Sequence, residues 1–241
     1  MVKEYIPNET KDERRFRKLL QRQQKLSSKL PEDKPIYPEV LHDNSVAFVL
    51  GNGVSRKPIR PIDLAPYGKI YGCNALYREF TPDHLVAVDA KMIKEITATG
   101  YHLKNKVWTN PSRFTREIYG LNLFNPNLGW SSGPSALNLA SEHQYSTIYI
   151  LGFDYEGTGK KKELVNNVYS GTLNYKKNDD RATYFGNWTR QTSTCVKKYT
   201  KIKYVRVIEN TNSFVPDVLV GIPNLSHITI ESFIKRFNLA N

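Results

Sequence analysis

"VAFVLGNGVSRKPI", Val46 to Ile59, sets the reading of the whole chain. Five apolar, mostly β-prone residues run into Gly51-Asn52-Gly53-Val54-Ser55, and the basic pair Arg56-Lys57 follows. A short apolar run closed by turn residues fits a strand buried on both faces, as in parallel sheets. The glycines that end it can hold a ligand or merely turn the chain. A dinucleotide fingerprint is incomplete here, because Arg56 stands where a third glycine belongs. What the stretch can offer is a tight turn whose backbone N–H groups and Ser55 hydroxyl face a phosphate. A side chain at Gly53 is then expected to occupy the ligand's space.

Further apolar runs follow at intervals of about twenty residues: "KIYGCN", "HLVAVD" and "KVWTN". "GPSALNLASEH" has helical character, "YSTIYILGFD" reads as a buried strand, "TSTCVKKYTK" as a helix and "KYVRVIEN" as a strand. Buried strands alternating with helices predict an α/β fold: a Rossmann-like, mostly parallel sheet with helices on both faces. Ligands of such sheets sit outside the carboxyl ends of the strands, so the residues at those ends matter most. They are Gly51 to Ser55, Gly72-Cys73-Asn74, Asp89-Ala90-Lys91, Ser131-Ser132-Gly133 before the central helix, and Gly152-Phe153-Asp154-Tyr155. Five small or polar edges in one chain predict a nucleotide-sized pocket. Asn52 and Asn74 suit ribose hydroxyls or a base edge, and Ser131-Ser132-Gly133 places donors at a helix N-terminus. Asp89 also reads as a helix cap before "AKMIKEI".

The 241 residues carry a formal net charge of +12, which favours an anionic partner: nucleic acid, nucleotide, or a phosphate-bearing surface. No apolar run is long enough to span a bilayer and no signal-peptide pattern follows Met1, so a cytoplasmic location is expected. Two cysteines far apart and without a CxxC partner argue against a disulfide framework or a zinc site and for a reducing compartment. Residues 1–38 are expected to form a separate unit, a basic amphipathic helix and a proline-bearing linker, ahead of a nucleotide-binding domain at 39–241. Arg14, Arg15, Arg17, Lys18, Arg22 and Lys25 of that helix can track phosphates, or its leucines can pack it on the body. The polar stretch at about 155–184 is too long for a plain loop and is expected to be a lid or a small insertion. Its "GTGKKKE" lacks P-loop spacing.

Gly-Asn-Gly-x-Ser, then Cys-Asn-x-x-Tyr, then Ser-Ser-Gly opening a helix, then "YSTIYILGFDY" occur in a fixed order from about Val46 to Val215. The set resembles the bacterial sialyltransferases that decorate lipooligosaccharide, and their relatives, the MptE-like hydroxymethylpterin diphosphokinases. The resemblance implies a Rossmann-like sheet of the GT-A type and a nucleotide sugar donor, of the cytidine monophosphate type in the sialyltransferases. It places Asn52, Gly53, Ser55, Asn74, Ser131, Ser132, Gly133 and Asp154 at the donor site, with Tyr155 beside them. It also implies a mobile lid after the Gly-x-Asp strand. Two positions depart from the pattern. Asn187 occupies the place of a histidine base, and Glu156 follows Tyr155 where a tyrosine would face the leaving phosphate. Lys160 to Lys162 can offset that carboxylate. If a base is required, Asp89, Glu156 and His227 are the candidates, in that order.

Three functions follow as expectations. The first is a glycosyltransferase-like enzyme moving a group from a nucleotide sugar to an anionic acceptor, a glycan or a nucleic acid, with DNA modification included. The second is a nucleotide- or nucleic-acid-binding protein without turnover. The third is a diphosphokinase using Mg²⁺ on Asp89, Asp154 and Glu156. For the transferase, Mg²⁺ is compatible with the sequence and not demanded by it.

Overall fold

A computed structural model describes residues 45–239. The expected basic helix and linker, with Arg14, Arg15, Arg17, Lys18, Arg22 and Lys25, lie outside the described residues.

Eight parallel strands form one sheet in the order β5-β4-β3-β2-β1-β6-β7-β8. They are β1 Val46–Leu50, β2 Lys69–Cys73, β3 His84–Val86, β4 Val107–Thr109, β5 Leu121–Leu123, β6 Thr147–Leu151, β7 Lys203–Ile208 and β8 Leu225–Thr229. Four helices exceed a single turn: α1 Ala90–Ala98, α2 Ser132–Glu142, α3 Gly186–Lys198 and α4 Ile230–Arg236. This is the α/β Rossmann-like architecture that the alternation of elements predicted. β5 and β8, at the two sheet edges, have no counterpart among the predicted strands.

The alternation of strand side chains explains the layers. Phe48 and Leu50 of β1, Ile70 of β2 and Val205 and Val207 of β7 point to one face, onto Ile93 and Ile96 of α1 and Phe233 of α4. Ala47 and Val49, Tyr71, Ile148, Ile150 and Tyr204 point to the other, onto Ala136, Leu137 and Ala140 of α2 and Cys195 and Val196 of α3. Both faces of the central strands are therefore dry, which is why their sequences are continuously apolar. α2 is buried along nearly its whole surface, from Ser132 to Ser141. It lies between the sheet and α3, so even its polar stripe of Ser132, Ser135, Asn138 and Ser141 is buried.

The register fixes the functional end. Leu50 of β1 pairs with Leu151 of β6, so the two strands finish side by side. From there the sheet order runs outward through β2 in one direction and β7 in the other. The connections after β1 and β6 diverge to opposite faces and leave a crevice between them, the switch point at which open α/β sheets bind ligands.

Candidate functional site

The loops after β1 and β6 stay in contact beyond the strands. Gly51 N–H donates to Leu151 O at 2.8 Å, and Gly53 N–H to Gly152 O at 2.9 Å. A Cβ on Gly51 would lie 2.6 Å from Gly152 O. Gly152 has φ +67, a conformation that glycine adopts at no steric cost. Gly53 is more constrained still: a Cβ there would lie 2.5 Å from the Asp154 carboxylate. That carboxylate accepts from Ser55 Oγ at 2.5 Å and from Ser55 N–H at 3.1 Å. The Val54 N–H donates to Asn166 Oδ1 at 2.8 Å.

These bonds correct two expectations. The amides of Gly51, Gly53, Val54 and Ser55 are all engaged inside the protein, so they form no phosphate cradle. The Ser55 hydroxyl faces Asp154, and the space beside Gly53 is filled by Asp154 as well. The glycines of "GNG" exist because two loops about a hundred residues apart in sequence meet there.

A cavity of about 480 Å³ opens above this junction. Of the residues expected at the site, Asn52, Gly53, Asn74, Asp89, Ser131, Ser132, Gly133, Asp154, Tyr155 and Glu156 line it; Ser55 and Asn187 do not. The fixed part of the wall is a relay across three elements. Val88 N–H donates to Ser132 Oγ at 3.1 Å, and Ser132 Oγ donates to Asn74 Oδ1 at 2.8 Å. Asn74 sits in the left-handed region, φ +53, which asparagine tolerates better than most residues. Several polar groups at the cavity keep free valences. Asn52 Nδ2 donates to the Tyr175 hydroxyl at 3.2 Å, while its buried Oδ1 has no partner among the described residues. The Ser131 side chain does not cap α2. The first turn of α2 presents amides with no intrahelical acceptor, at the positive end of its dipole.

The carboxylates divide by role. Asp154 is held by Ser55. Glu156 pairs with Lys162 at 3.4 Å, so the offset expected from the lysine run comes from Lys162. Asp89 stands at the N-cap position of α1, exposed, yet its side chain makes no capping bond. Among the described residues, no group of three or more His, Cys, Asp or Glu side chains is placed to hold a metal ion.

Asn187, at the place of the histidine base, and the candidate base His227 lie elsewhere. Asn187 is on the first turn of α3, exposed, where its Oδ1 accepts from Arg190 at 2.5 Å. Helix α3 starts six residues earlier than "TSTCVKKYTK" suggested, and this turns Asn187 away from the cavity. His227 is on edge strand β8, outside the cavity lining, and burial together with neighbouring Arg206 lowers its pKa.

The residues that brace the site were not among those expected from the sequence. Arg206 of β7 is 2 % exposed and donates to the carbonyls of Phe153 at 2.8 Å and Asp154 at 3.1 Å. Its guanidinium also lies over the Tyr155 ring, 4.9 Å from the centroid. Tyr155, at φ +60, is locked from the other side by its hydroxyl, which donates to Thr192 Oγ1 at 2.7 Å. An arginine inside the apolar run "KYVRVIEN" was the available signal, since a charge is buried only when its donors are satisfied. Arg56 is likewise buried and donates to Gly51 O, Glu79 and the Tyr169 hydroxyl. It ties the β1 loop to the 155–184 stretch. That stretch crosses the crevice and contributes Val165, Asn166, Asn167, Asn174, Tyr175 and Lys176 to the wall, while Phe185 and Trp188 add an aromatic side.

No protein-family profile, no curated protein and no solved structure matches the chain. Among the described residues no helix is long and apolar enough to cross a membrane.

Proposed function

We propose that the chain is a nucleotide-sugar-dependent, glycosyltransferase-like enzyme acting on an anionic acceptor, a glycan or a nucleic acid, DNA included. One observation carries this reading: unpaired polar groups converge at the topological switch point. Asn52 Oδ1, Asn74 Nδ2 and the first turn of α2 all border one cavity of about 480 Å³, a size suited to a nucleotide. In this reading the α2 amides and the Ser131 hydroxyl take the donor phosphate. Asn52 and Asn74 take ribose or base groups, and Tyr175 or Trp188 offers a ring face for stacking. A cytidine monophosphate sugar is the donor that the resemblance to the bacterial sialyltransferases implies.

Asp89 is the proposed general base. It is exposed at the cavity, and no donor among the described residues competes for it, so it can accept a proton from an acceptor hydroxyl. Glu156, already paired with Lys162, presents little net charge to a departing phosphate. With Asp154 engaged by Ser55, the three-carboxylate set of a diphosphokinase is reduced to Asp89 and Glu156, and no step here is routed through a metal. The acceptor's charge fits the body of the protein: residues 45–241 hold 25 Lys and Arg against 15 Asp and Glu.

Binding without turnover is the second reading, and one observation favours it: no histidine among the described residues lines the cavity. Incubation with a panel of nucleotide sugars separates the two. The enzyme reading expects free nucleotide to appear well above a protein-free control for at least one donor. Saturable binding across the panel with no release would leave only the second.

A further inference from the structure

A second cavity, of about 530 Å³, lies at the opposite end of the sheet and belongs to none of the preceding argument. It is lined by His84, Lys106, Trp108, Asn122, His143 and Tyr145. His84 opens β3, Lys106 immediately precedes β4, and His143 is the C-cap of α2. The 11 residues of α2 therefore separate this cavity from the crevice by about 16 Å.

Its hydrogen bonds decide what it can hold. Trp108 Nε1 lies 3.1 Å from His84 Nδ1. An indole nitrogen can only donate, so His84 Nδ1 must accept, and the imidazole proton is on Nε2. His84 is held in this state from the side as well, stacked on Tyr71 with ring centroids 4.8 Å apart and planes 9° apart. Charging the ring would place two N–H groups against each other at Trp108. Burial, together with His143 and Lys106, accordingly lowers the His84 pKa to about 4. His84 thus presents a fixed N–H donor rather than a lone pair, which rules it out as a ligand for a metal cation.

The rest of the lining agrees in sign. Lys106 is exposed and has no ion-pair partner among the described residues. Among the described residues, no carboxylate lines the cavity. The nearest ones are engaged: Asp83 accepts from Lys69 Nζ and Ile70 N–H, and Glu142 accepts from Asn138. Asn122 Nδ2 donates to Val107 O at 3.3 Å, which leaves its Oδ1 for a ligand hydroxyl. His143 is positioned by the bond between its Nδ1 and the Tyr71 phenol. A cation, a fixed donor and one acceptor surround a space with an aromatic wall.

We infer that this cavity binds a phosphate-type oxyanion, with Lys106 supplying the charge, the Nε2–H of His84 a directed donor, and Asn122 Oδ1 an acceptor for a P–OH group. The anion can be a free phosphate or a monoester, whose monoanions carry the P–OH group; a phosphodiester of a polymer lacks it and would engage only Lys106 and His84.

The chain's three tryptophans make the test direct, because Trp108 borders this cavity while Trp188 lines the crevice. Inorganic phosphate is titrated at constant ionic strength while the indole N–H signals are followed by NMR. A saturable shift at Trp108 is expected, with a dissociation constant on the order of 1 mM. Lys106→Met should weaken it about ten-fold or more, without loss of fold because Lys106 is exposed. Parallel titrations with a phosphomonoester and with oligothymidylate identify the source: whichever moves Trp108 at the lowest concentration is the better ligand. A Trp108 signal that moves linearly, or that responds equally in Lys106→Met, overturns the inference. Detection of the Nδ1–H tautomer of His84 in the free protein does so independently.

Discussion

Gly53→Val lowers stability by about 2.5–6 kcal/mol and abolishes nucleotide binding in whatever protein remains folded. A Cβ at this position would lie 2.5 Å from the Asp154 carboxylate, and a branched side chain needs more room still. Overpacking of this kind costs about 1–3 kcal/mol. Displacing Asp154 also breaks its two bonds from Ser55, which adds about 1.5–3 kcal/mol for hydrogen bonds to a charged group. Gly171→Ala is the control. Gly171 has φ +75, but a Cβ there would meet nothing within 4 Å, so only the left-handed strain of about 1–2 kcal/mol applies. Urea unfolding of both variants gives the comparison. If Gly53→Val costs no more than Gly171→Ala, the two loops do not meet as described.

Asp89→Asn should reduce turnover of the donor about 10²- to 10⁴-fold, the usual contribution of a positioned general base. Donor affinity should stay within about two-fold, because the groups assigned to the donor follow β1 and β2, open α2, or belong to the 155–184 stretch and α3, and none is on α1. Stability should hold too, since the Asp89 side chain makes no capping bond and asparagine is itself a good N-cap. Glu156→Gln, which only dissolves the pair with Lys162, is expected to have the smaller effect. Asp89→Asn with turnover within about three-fold of the parent contradicts the assignment.

The central strands were legible in the sequence because burial on both faces leaves a continuous apolar run, as in Val46 to Leu50 and Thr147 to Leu151. The edges were not. β5 is Leu-Asn-Leu, three residues with a polar centre, and β8 carries an exposed Ser226 among half-buried neighbours. Neither pattern differs from that of a loop. At the site, the residue types at the strand ends were legible, but which of their atoms remain free was not. That depends on the register that places Leu50 beside Leu151 and brings Gly53 against Asp154. No local pattern encodes a contact across a hundred residues, so Ser55 reads as a phosphate donor until its acceptor is known. Charge was also easy to misplace. The density of arginine in "KDERRFRKLLQRQQK" draws the eye, yet residues 1–44 hold 10 Lys and Arg against 8 Asp and Glu, and the excess belongs to the body.

The claim on which the proposed function depends is that the crevice between β1 and β6 binds a nucleotide. Thermal unfolding with a panel of nucleoside monophosphates and nucleotide sugars measures this without knowledge of the acceptor. A ligand at about 100 times its dissociation constant stabilises by about 2.7 kcal/mol, a rise of about 5–10 °C for a chain of this size. The account predicts such a rise for at least one nucleotide, cytidine monophosphate first, and its loss in Asn52→Ala, which removes the unpaired Oδ1 from the cavity wall. An unchanged melting temperature across the panel at millimolar concentrations, or an undiminished rise in Asn52→Ala, contradicts it.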